Sequence, residues 1–341
     1  MTNETLQLNY YGYDLPEELI AQYPLKRRDQ ARLMIINRRT QDIQHDVFSN
    51  IGKYLPSQAC LVLNESKVIP ARLHGTKARS GGKVEVFLLK RLSDGYSYQV
   101  LMRPLKKIKV SDRILFNGTK LFAQVIDENK TIVRFNRKNI LKDLEHIGHV
   151  PLPPYIKRLD DHVDREYYQT VFARHLGSVA SPTAGLHFTD SLLKRLKSKG
   201  HSLEKVTLHV NYATFKPVEE LKITDHQMHK EDYKISKATS ERLKQYKAKG
   251  KTIVAVGTTS CRVLETLAQT KNLEGETNIF IYPGYSFKMT DILITNFHLS
   301  YSTLLMLVYA FGGKDLISRA YQEAIKQKYR FYSYGDAMVI I

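Results

Sequence analysis

The 341-residue chain carries 52 Lys and Arg against 34 Asp and Glu, a formal charge of +18, with 43% apolar and 25% charged residues. This length points to roughly two domains with enough chain for a substantial core, and the composition excludes a disordered or collagenous chain. The longest apolar stretch, residues 303–311, falls well short of the ~20 residues of a membrane span, and the polar start lacks a leader pattern, so a cytoplasmic protein with no membrane partner is expected.

Cys60 and Cys261 are the only cysteines, which rules out a disulfide framework and a four-cysteine zinc site. A surface this basic attracts polyanions and loses that attraction as salt rises. Charge alone does not separate a nucleic-acid partner from a merely soluble basic surface.

Near the start, Asp14 followed by Leu-Pro-Glu-Glu predicts a helix N-terminus, with Leu19 and Ile20 on its apolar face until Pro24 stops it. Residues 32–37 and 59–63 read as buried strands. From 67 to 136 the pattern changes to period two. Val84, Val86 and Leu88 alternate, Asp94-Gly95 turns, and Tyr98, Val100 and Met102 alternate again; residues 114–116, the turn Asn117-Gly118 and residues 121–126 repeat the theme. Such short strands and turns predict a small antiparallel barrel. Between two of its strands, RPLKKIKVSDR sets Arg103, Lys106, Lys107, Lys109 and Arg113 against Asp112 alone, either a solvated loop or a polyanion-binding edge.

The proline-rich VPLPPYIKR, residues 150–158, returns the chain to its main domain. Leu192, Leu193 and Leu196 predict a helix ending at Gly200, residues 205–210 a strand, and Leu243 with Tyr246 a helix ending at Gly250. Residues 251–256 form a buried strand that runs through Gly257-Thr258-Thr259 into a helix bearing Val263, Leu264 and Leu267. Further strands are predicted at 278–282, 291–297 and 330–341. The fold class is therefore α/β: a mixed α/β main domain of residues 1–66 and 150–341, with an inserted antiparallel β-barrel domain at 67–149.

Four segments carry candidate chemistry. The Gly257-Thr258-Thr259 turn, with Arg262 one helical turn on, offers backbone N–H groups and hydroxyls to a carboxylate or phosphate, or is an ordinary strand-to-helix connection. It lacks the glycine fingerprints of dinucleotide and P-loop sites. The nearly charge-free GSVASPTAGLHF, residues 177–188, suits close approach to a ligand and ends near His187, which can move a proton. DHQMHKED holds His226, His229 and Glu231, a weak metal pattern without H-E-x-x-H, or a polar substrate-binding cluster. Finally, Asn296, His298 and Asp336 stand at the ends of apolar runs, where α/β sheets gather site residues. Tyr329, Phe331, Tyr332 and Tyr334 beside Arg330 suggest base stacking by at most half of them, because strand neighbours face opposite ways.

The phrases DLPEELIAQYP, VIPARLHG, GGKVEVFLL, PLPPYI, YYQTVFA, SPTAGLHFT, VTLHV, HQMHKE, AVGTTSCRVLE, TNIFIYPGYSF, LITNFHLS and YRFYSYGDAM occur in that order along nearly the whole chain. Together they resemble the S-adenosylmethionine:tRNA ribosyltransferase-isomerase family of the queuosine pathway. The resemblance implies an α/β domain with an inserted barrel. It also implies transfer and isomerisation of the ribosyl moiety of S-adenosylmethionine onto 7-aminomethyl-7-deazaguanine at the tRNA wobble position, giving epoxyqueuosine-tRNA, adenine and methionine. S-adenosylmethionine is then a co-substrate, no metal is expected, the partner is tRNA bearing the deazaguanine base, and a monomer is expected with oligomers left open.

Under this resemblance His187, His209, His229 and Glu231 are candidate proton movers. Thr183, Gly185, Thr258, Thr259, Arg262, Asn296, His298 and Asp336 are candidate co-substrate ligands, and Arg103, Lys106, Lys107, Lys109, Arg113 and Arg330 candidate tRNA contacts. The chain departs from the family's usual Asn-Asp-Thr-Arg at Asn64-Glu65-Ser66-Lys67, from Ala at Ser181, from Gly-x-Gly-Thr-Phe at Asn211-Tyr212-Ala213-Thr214-Phe215, and from Pro-Lys at Ser300-Tyr301. The lost glycines motivate an alternative, a catalytically weakened paralogue that acts as a tRNA-binding protein.

Overall fold

Short apolar runs become buried strands and alternating runs become barrel staves. The computed structural model describes residues 3–341, without the side chains of Asn3 and Ala213. The strands begin with β1 Arg32–Ile36, β2 Ile43–Val47, β3 Cys60–Asn64 and β4 Ser66–Val68. The barrel region follows with β5 Arg72–Lys77, β6 Lys83–Arg91, β7 Ser97–Arg103, β8 Arg113–Leu115, β9 Phe122–Val125 and β10 Ile132–Phe135, then α1 Leu141–Ile147 and β11 Gly148–His149. After α2 His162–Tyr167 and β12 His175–Ser178 come α3 Asp190–Ser198, β13 Ser202–Leu208, β14 Glu231–Lys234 and α4 Lys237–Ala248. The chain closes with β15 Ile253–Val256, α5 Gly257–Thr270, β16 Glu274–Thr277, β17 Ile292–Asn296, α6 Thr303–Gly312, α7 Lys314–Lys326 and β18 Ala337–Ile340.

Nine strands form one sheet in the order β16-β14-β13-β3-β15-β17-β18-β1-β2. Its centre, β13-β3-β15-β17, is parallel, and β3, β15 and β17 are buried at every position. Covering on both faces explains why these strands read as continuous apolar runs. On one face Met34, Val62, Ala255 and Leu293 pack against Leu264, Met306, Tyr321 and Phe331. On the other, Leu33, Leu61, Val254 and Ile294 pack against Phe48, Phe188, Leu192 and Leu196.

The second sheet runs β11-β5-β6-β7-β10-β9-β8 and closes on itself through β5 and β8, a six-stranded antiparallel barrel with β11 added to β5. Alternation builds it: Tyr98, Val100 and Met102 of β7 point into a core with Leu73, Val86, Ile114 and Phe135, while Gln99, Leu101 and Arg103 face out. The fold is thus the mixed α/β architecture with an antiparallel barrel that the sequence patterns predict.

Three elements differ from expectation. In place of a helix after Asp14 there is a single 3-10 turn at Glu17–Leu19. The backbone there is engaged by the C-terminal segment, Phe331 N donating to the Leu19 carbonyl and Ala21 N to that of Phe331. The strand predicted at 278–282 lies earlier, at Glu274–Thr277, where it registers with β14. The expected strand 330–341 is confined to Ala337–Ile340 because the chain folds back at Gly335, where a Cβ would stand 2.4 Å from the Arg330 carbonyl oxygen.

Candidate active site

The parallel strands β15 and β17 end side by side, Val256 in register with Ile294. Directly after Val256 the chain takes φ +89° at Gly257, a left-handed angle suited to glycine, and enters α5 without a linking loop. Helices α3, α4 and α6 are capped by the side chains of Thr189, Ser236 and Ser302, whereas α5, like α1 and α7, has no side-chain cap. Its first N–H groups lack intrahelical partners and carry the positive end of the helix dipole. A cleft opens there, lined among others by Thr258 and Thr259 of α5, Asn296 and His298 beyond β17, and Ser181 and Thr183 from the hydroxyl-rich loop.

Its floor is held by a polar network. Asn296 Nδ2 donates to His187 Nε2 at 3.1 Å and to the carbonyls of Tyr332 and Asp336 at 3.3 and 3.4 Å. With Nε2 accepting from Asn296, neutral His187 carries its proton on Nδ1. Its ring lies 4.9 Å from that of Phe48. Burial, reinforced by the charge of Arg330, pushes His187 down to about 3. Burial alone takes His298 down to about 3. Nε2 of His298 shares a 2.7 Å bond with Thr295 Oγ1, its amide donates to the Tyr321 hydroxyl, and its carbonyl accepts from Tyr13. Both imidazoles are neutral at pH 7.

Beside this cleft, sharing Thr214 and Leu304 with it, is a cavity of about 180 Å³ containing Arg262, Glu231, His226 and His229. Arg262 Nη1 donates to Glu231 Oε2, and both side chains are buried. Arg262 Nε and Nη2 have no hydrogen-bond partner among the described residues. Glu231 Oε1 accepts from the Asn211 amide at 2.8 Å, and His226 Nδ1 bonds Glu220. Glu231 and His226 are thus engaged by other partners, and among the described residues no group of three His, Cys, Asp or Glu is arranged to hold a metal. Asn211 is not among the residues with positive φ, so this chain does not require the family's glycine there.

Other candidates lie apart. His209 borders a groove of about 1050 Å³ beside β13 and β14 and, with Glu231, a further cavity of about 240 Å³; burial lowers its pKa. Gly185 is a packing position: a Cβ would meet Thr170 at 2.8 Å and Phe172 at 2.9 Å. Asp336 accepts the backbone amides of Arg32 and Arg330 at 2.9 and 2.8 Å, which ties strand β1 to the C-terminal turn. Arg103, Lys106, Lys107, Lys109 and Arg113 are exposed on the barrel, with Leu105 at 48% and Val110 at 36% exposure among them. Arg330 is removed from that surface; it donates to the Tyr23 carbonyl, and burial lowers its pKa. Tyr329, Phe331 and Tyr334 are buried and unable to stack on bases, while Tyr332 borders the cleft.

Sequence reasoning missed Tyr155, whose hydroxyl bonds Ser333 Oγ at 2.7 Å and whose ring stands 4.7 Å from that of Tyr332 on the cleft wall. Its signal was available in PLPPYI, a proline-stiffened segment that delivers one aromatic residue.

A profile of queuosine biosynthesis proteins matches residues 8–340. The S-adenosylmethionine:tRNA ribosyltransferase-isomerase of Sulfurihydrogenibium sp. is 50% identical over 338 residues, 98% of this chain and 100% of that protein. That of Halothermothrix orenii is 49% identical over 344 residues, again 98% and 100%. In three dimensions the chain is similar to the crystal structure of S-adenosylmethionine tRNA ribosyltransferase from Thermotoga maritima, with TM-score 0.57, 38% identity, and 97% of this chain and 100% of that one covered. End-to-end similarity of this extent, over the residues that build the cleft, places the chain in the queuosine biosynthesis family of S-adenosylmethionine:tRNA ribosyltransferase-isomerases.

Proposed function

We propose that the protein transfers and isomerises the ribosyl moiety of S-adenosylmethionine onto the aminomethyl group of 7-aminomethyl-7-deazaguanine at the wobble position of tRNA, yielding epoxyqueuosine-tRNA, adenine and methionine. The observation that carries this reading is the adjoining pair of cavities. One has unpartnered neutral polar atoms and an aromatic wall, and the next holds Arg262 with two unpartnered donors. A nucleoside bearing an amino acid on a sulfonium matches that polarity. Arg262 suits the methionyl carboxylate through charge-assisted hydrogen bonds. Tyr155 and Tyr332 suit the purine and the sulfonium, which is attracted to aromatic faces. Neutral His187 and His298 add no positive charge to repel it.

Chemically, the sulfonium acidifies the ribose C5′–H, so a base that takes this proton begins the sequence; adenine departs as it takes up a proton, the substrate amine attacks the sugar skeleton, and methionine leaves as the C5′–S bond breaks. Among the four candidate proton movers, His229 and Glu231 border the Arg262 cavity, His187 stands behind Asn296, and His209 faces the other groove. We assign the proton transfer to His229, with Glu231 holding Arg262 and His187 acting through Asn296 as a positioning residue. The barrel, taken as an insert at 67–149 in a main domain of 1–66 and 150–341, presents the basic segment to the tRNA. The cytoplasm is the compartment that supplies both substrates.

Incubation with S-adenosylmethionine and tRNA bearing the deazaguanine base tests this. Adenine and methionine should appear one for one with modified tRNA. Binding of tRNA with no adenine released would instead identify the weakened paralogue, and S-adenosylhomocysteine would identify a methyltransferase.

A further inference from the structure

Three polar atoms beside the cleft have no hydrogen-bond partner among the described residues: Ser181 Oγ, Thr259 Oγ1 and Asn296 Oδ1. Their residues are 5%, 8% and 2% exposed, and all three line one cavity. An unpaired buried polar atom is destabilising, so three around one cavity point to a ligand that completes them.

Chemical type narrows that ligand. The Asn296 amide nitrogen is engaged by His187 Nε2 and by the Tyr332 and Asp336 carbonyls, which leaves its oxygen as a fixed acceptor. Ser181 and Thr259 each donate one hydrogen bond and accept others. The β15–β17 register sets the start of α5, with Thr259, beside the end of β17 at Asn296. Ser181 enters from the loop before the Thr183–His187 turn, which packs on β17. One acceptor and two hydroxyls, all neutral, match adjacent hydroxyls of a sugar. An ammonium group would bring a buried charge that these three atoms do not balance, and the methionyl carboxylate is matched instead to Arg262 in the adjoining cavity.

We infer that Ser181, Thr259 and Asn296 form the subsite for the ribose 2′,3′-diol of S-adenosylmethionine. This rests on the proposed function and adds which hydroxyl-bearing part of the co-substrate these residues hold.

The test is calorimetric titration of S-adenosylmethionine and its 2′-deoxy and 3′-deoxy analogues into the parent, Ser181→Ala and Thr259→Val proteins, with a thermal melt of each. Each variant should bind S-adenosylmethionine about three- to tenfold more weakly, the effect of one lost neutral hydrogen bond. It should bind one of the two deoxy analogues as the parent does. Its melting temperature should hold or rise, because an unpaired buried hydroxyl has been removed. Equal losses for all three ligands, or unchanged affinity for S-adenosylmethionine, would overturn the diol assignment alone. Failure of the parent to bind S-adenosylmethionine overturns the functional reading and this inference with it.

Discussion

Asn296 and His187, 109 positions apart, meet through a 3.1 Å hydrogen bond that fixes which imidazole nitrogen bears the proton. Burial, with Arg330 behind it, keeps His187 neutral down to about 3, and burial does the same for His298. In the unfolded chain each ring titrates near ~6.5. Below that pH the unfolded state takes up protons that the folded state refuses. The stability linked to these rings is therefore complete above about pH 6.5 and is lost as the pH falls toward 3, at about 1.4 kcal/mol per pH unit for each ring. His187→Gln should shrink the stability difference between pH 6.5 and 5 by about 2 kcal/mol. Urea unfolding at the two pH values measures it, and an unchanged difference would show that His187 is protonated in the folded protein.

Arg262 combines a buried ion pair to Glu231 with two unpartnered nitrogens. Arg262→Lys keeps a positive charge beside Glu231 and removes the planar fork that would grip a carboxylate. The KM for S-adenosylmethionine should rise about tenfold or more, with a smaller change in kcat, because hydrogen bonds to a charged group are worth roughly 1.5–3 kcal/mol. Glu231→Gln is the contrasting variant. It strands a buried guanidinium, so it should lower unfolding stability by roughly 3–5 kcal/mol. If Arg262→Lys left KM unchanged, the carboxylate would have to bind elsewhere.

The central strands were legible because burial on both faces writes itself as unbroken apolar sequence, and the barrel because alternation is punctuated by Asp94-Gly95 and Asn117-Gly118, whose glycines do take positive φ. Helix α7 also carries a stripe, Leu316, Ile317, Ala320, Tyr321 and Ala324. Only Gly313, at φ +80°, separates it from the apolar α6, so composition alone blurs the boundary. The site was legible as a set of segments but not as a geometry. A histidine in a hydroxyl-rich loop looks available for proton transfer until Phe48, 139 positions earlier in the chain by number, covers its ring. The pairing of Arg262 with Glu231 crosses from α5 to β14, a relationship that no local spacing encodes. Unpartnered atoms such as Ser181 Oγ emerge only once every neighbour is in place.

Lys106, Lys107 and Lys109 are exposed on the barrel with no ion-pair partner among the described residues, around the exposed Leu105 and Val110. If they grip phosphates, each contact releases counterions on binding, and the logarithm of tRNA affinity falls linearly with the logarithm of salt. Replacing all three by Ala should lower the steepness of that line by about two units and weaken tRNA binding most at low salt. S-adenosylmethionine affinity should stay as in the parent. Filter binding from 50 to 300 mM salt, at roughly the range where such slopes are resolved, decides the matter. Identical slopes would return this segment to a solvated loop.

Asp336 was a candidate ligand by position, yet both of its oxygens accept backbone amides, those of Arg32 and Arg330. Burial raises its pKa despite these bonds and the nearby arginines. Asp336→Asn keeps the shape but turns one acceptor into an NH2 group facing an N–H donor. An unpaired buried donor costs about 1–3 kcal/mol, so unfolding stability should drop by that amount. The same amides anchor β1 to the turn at Gly335, so the damage should be felt in the whole sheet edge and not in the cleft. At a temperature where the variant is folded, its KM for S-adenosylmethionine should lie within about twofold of the parent, the change left when no direct hydrogen bond is lost. A tenfold higher KM with unaltered stability would make Asp336 a ligand after all, because a residue spent on the backbone cannot be removed without loosening the fold.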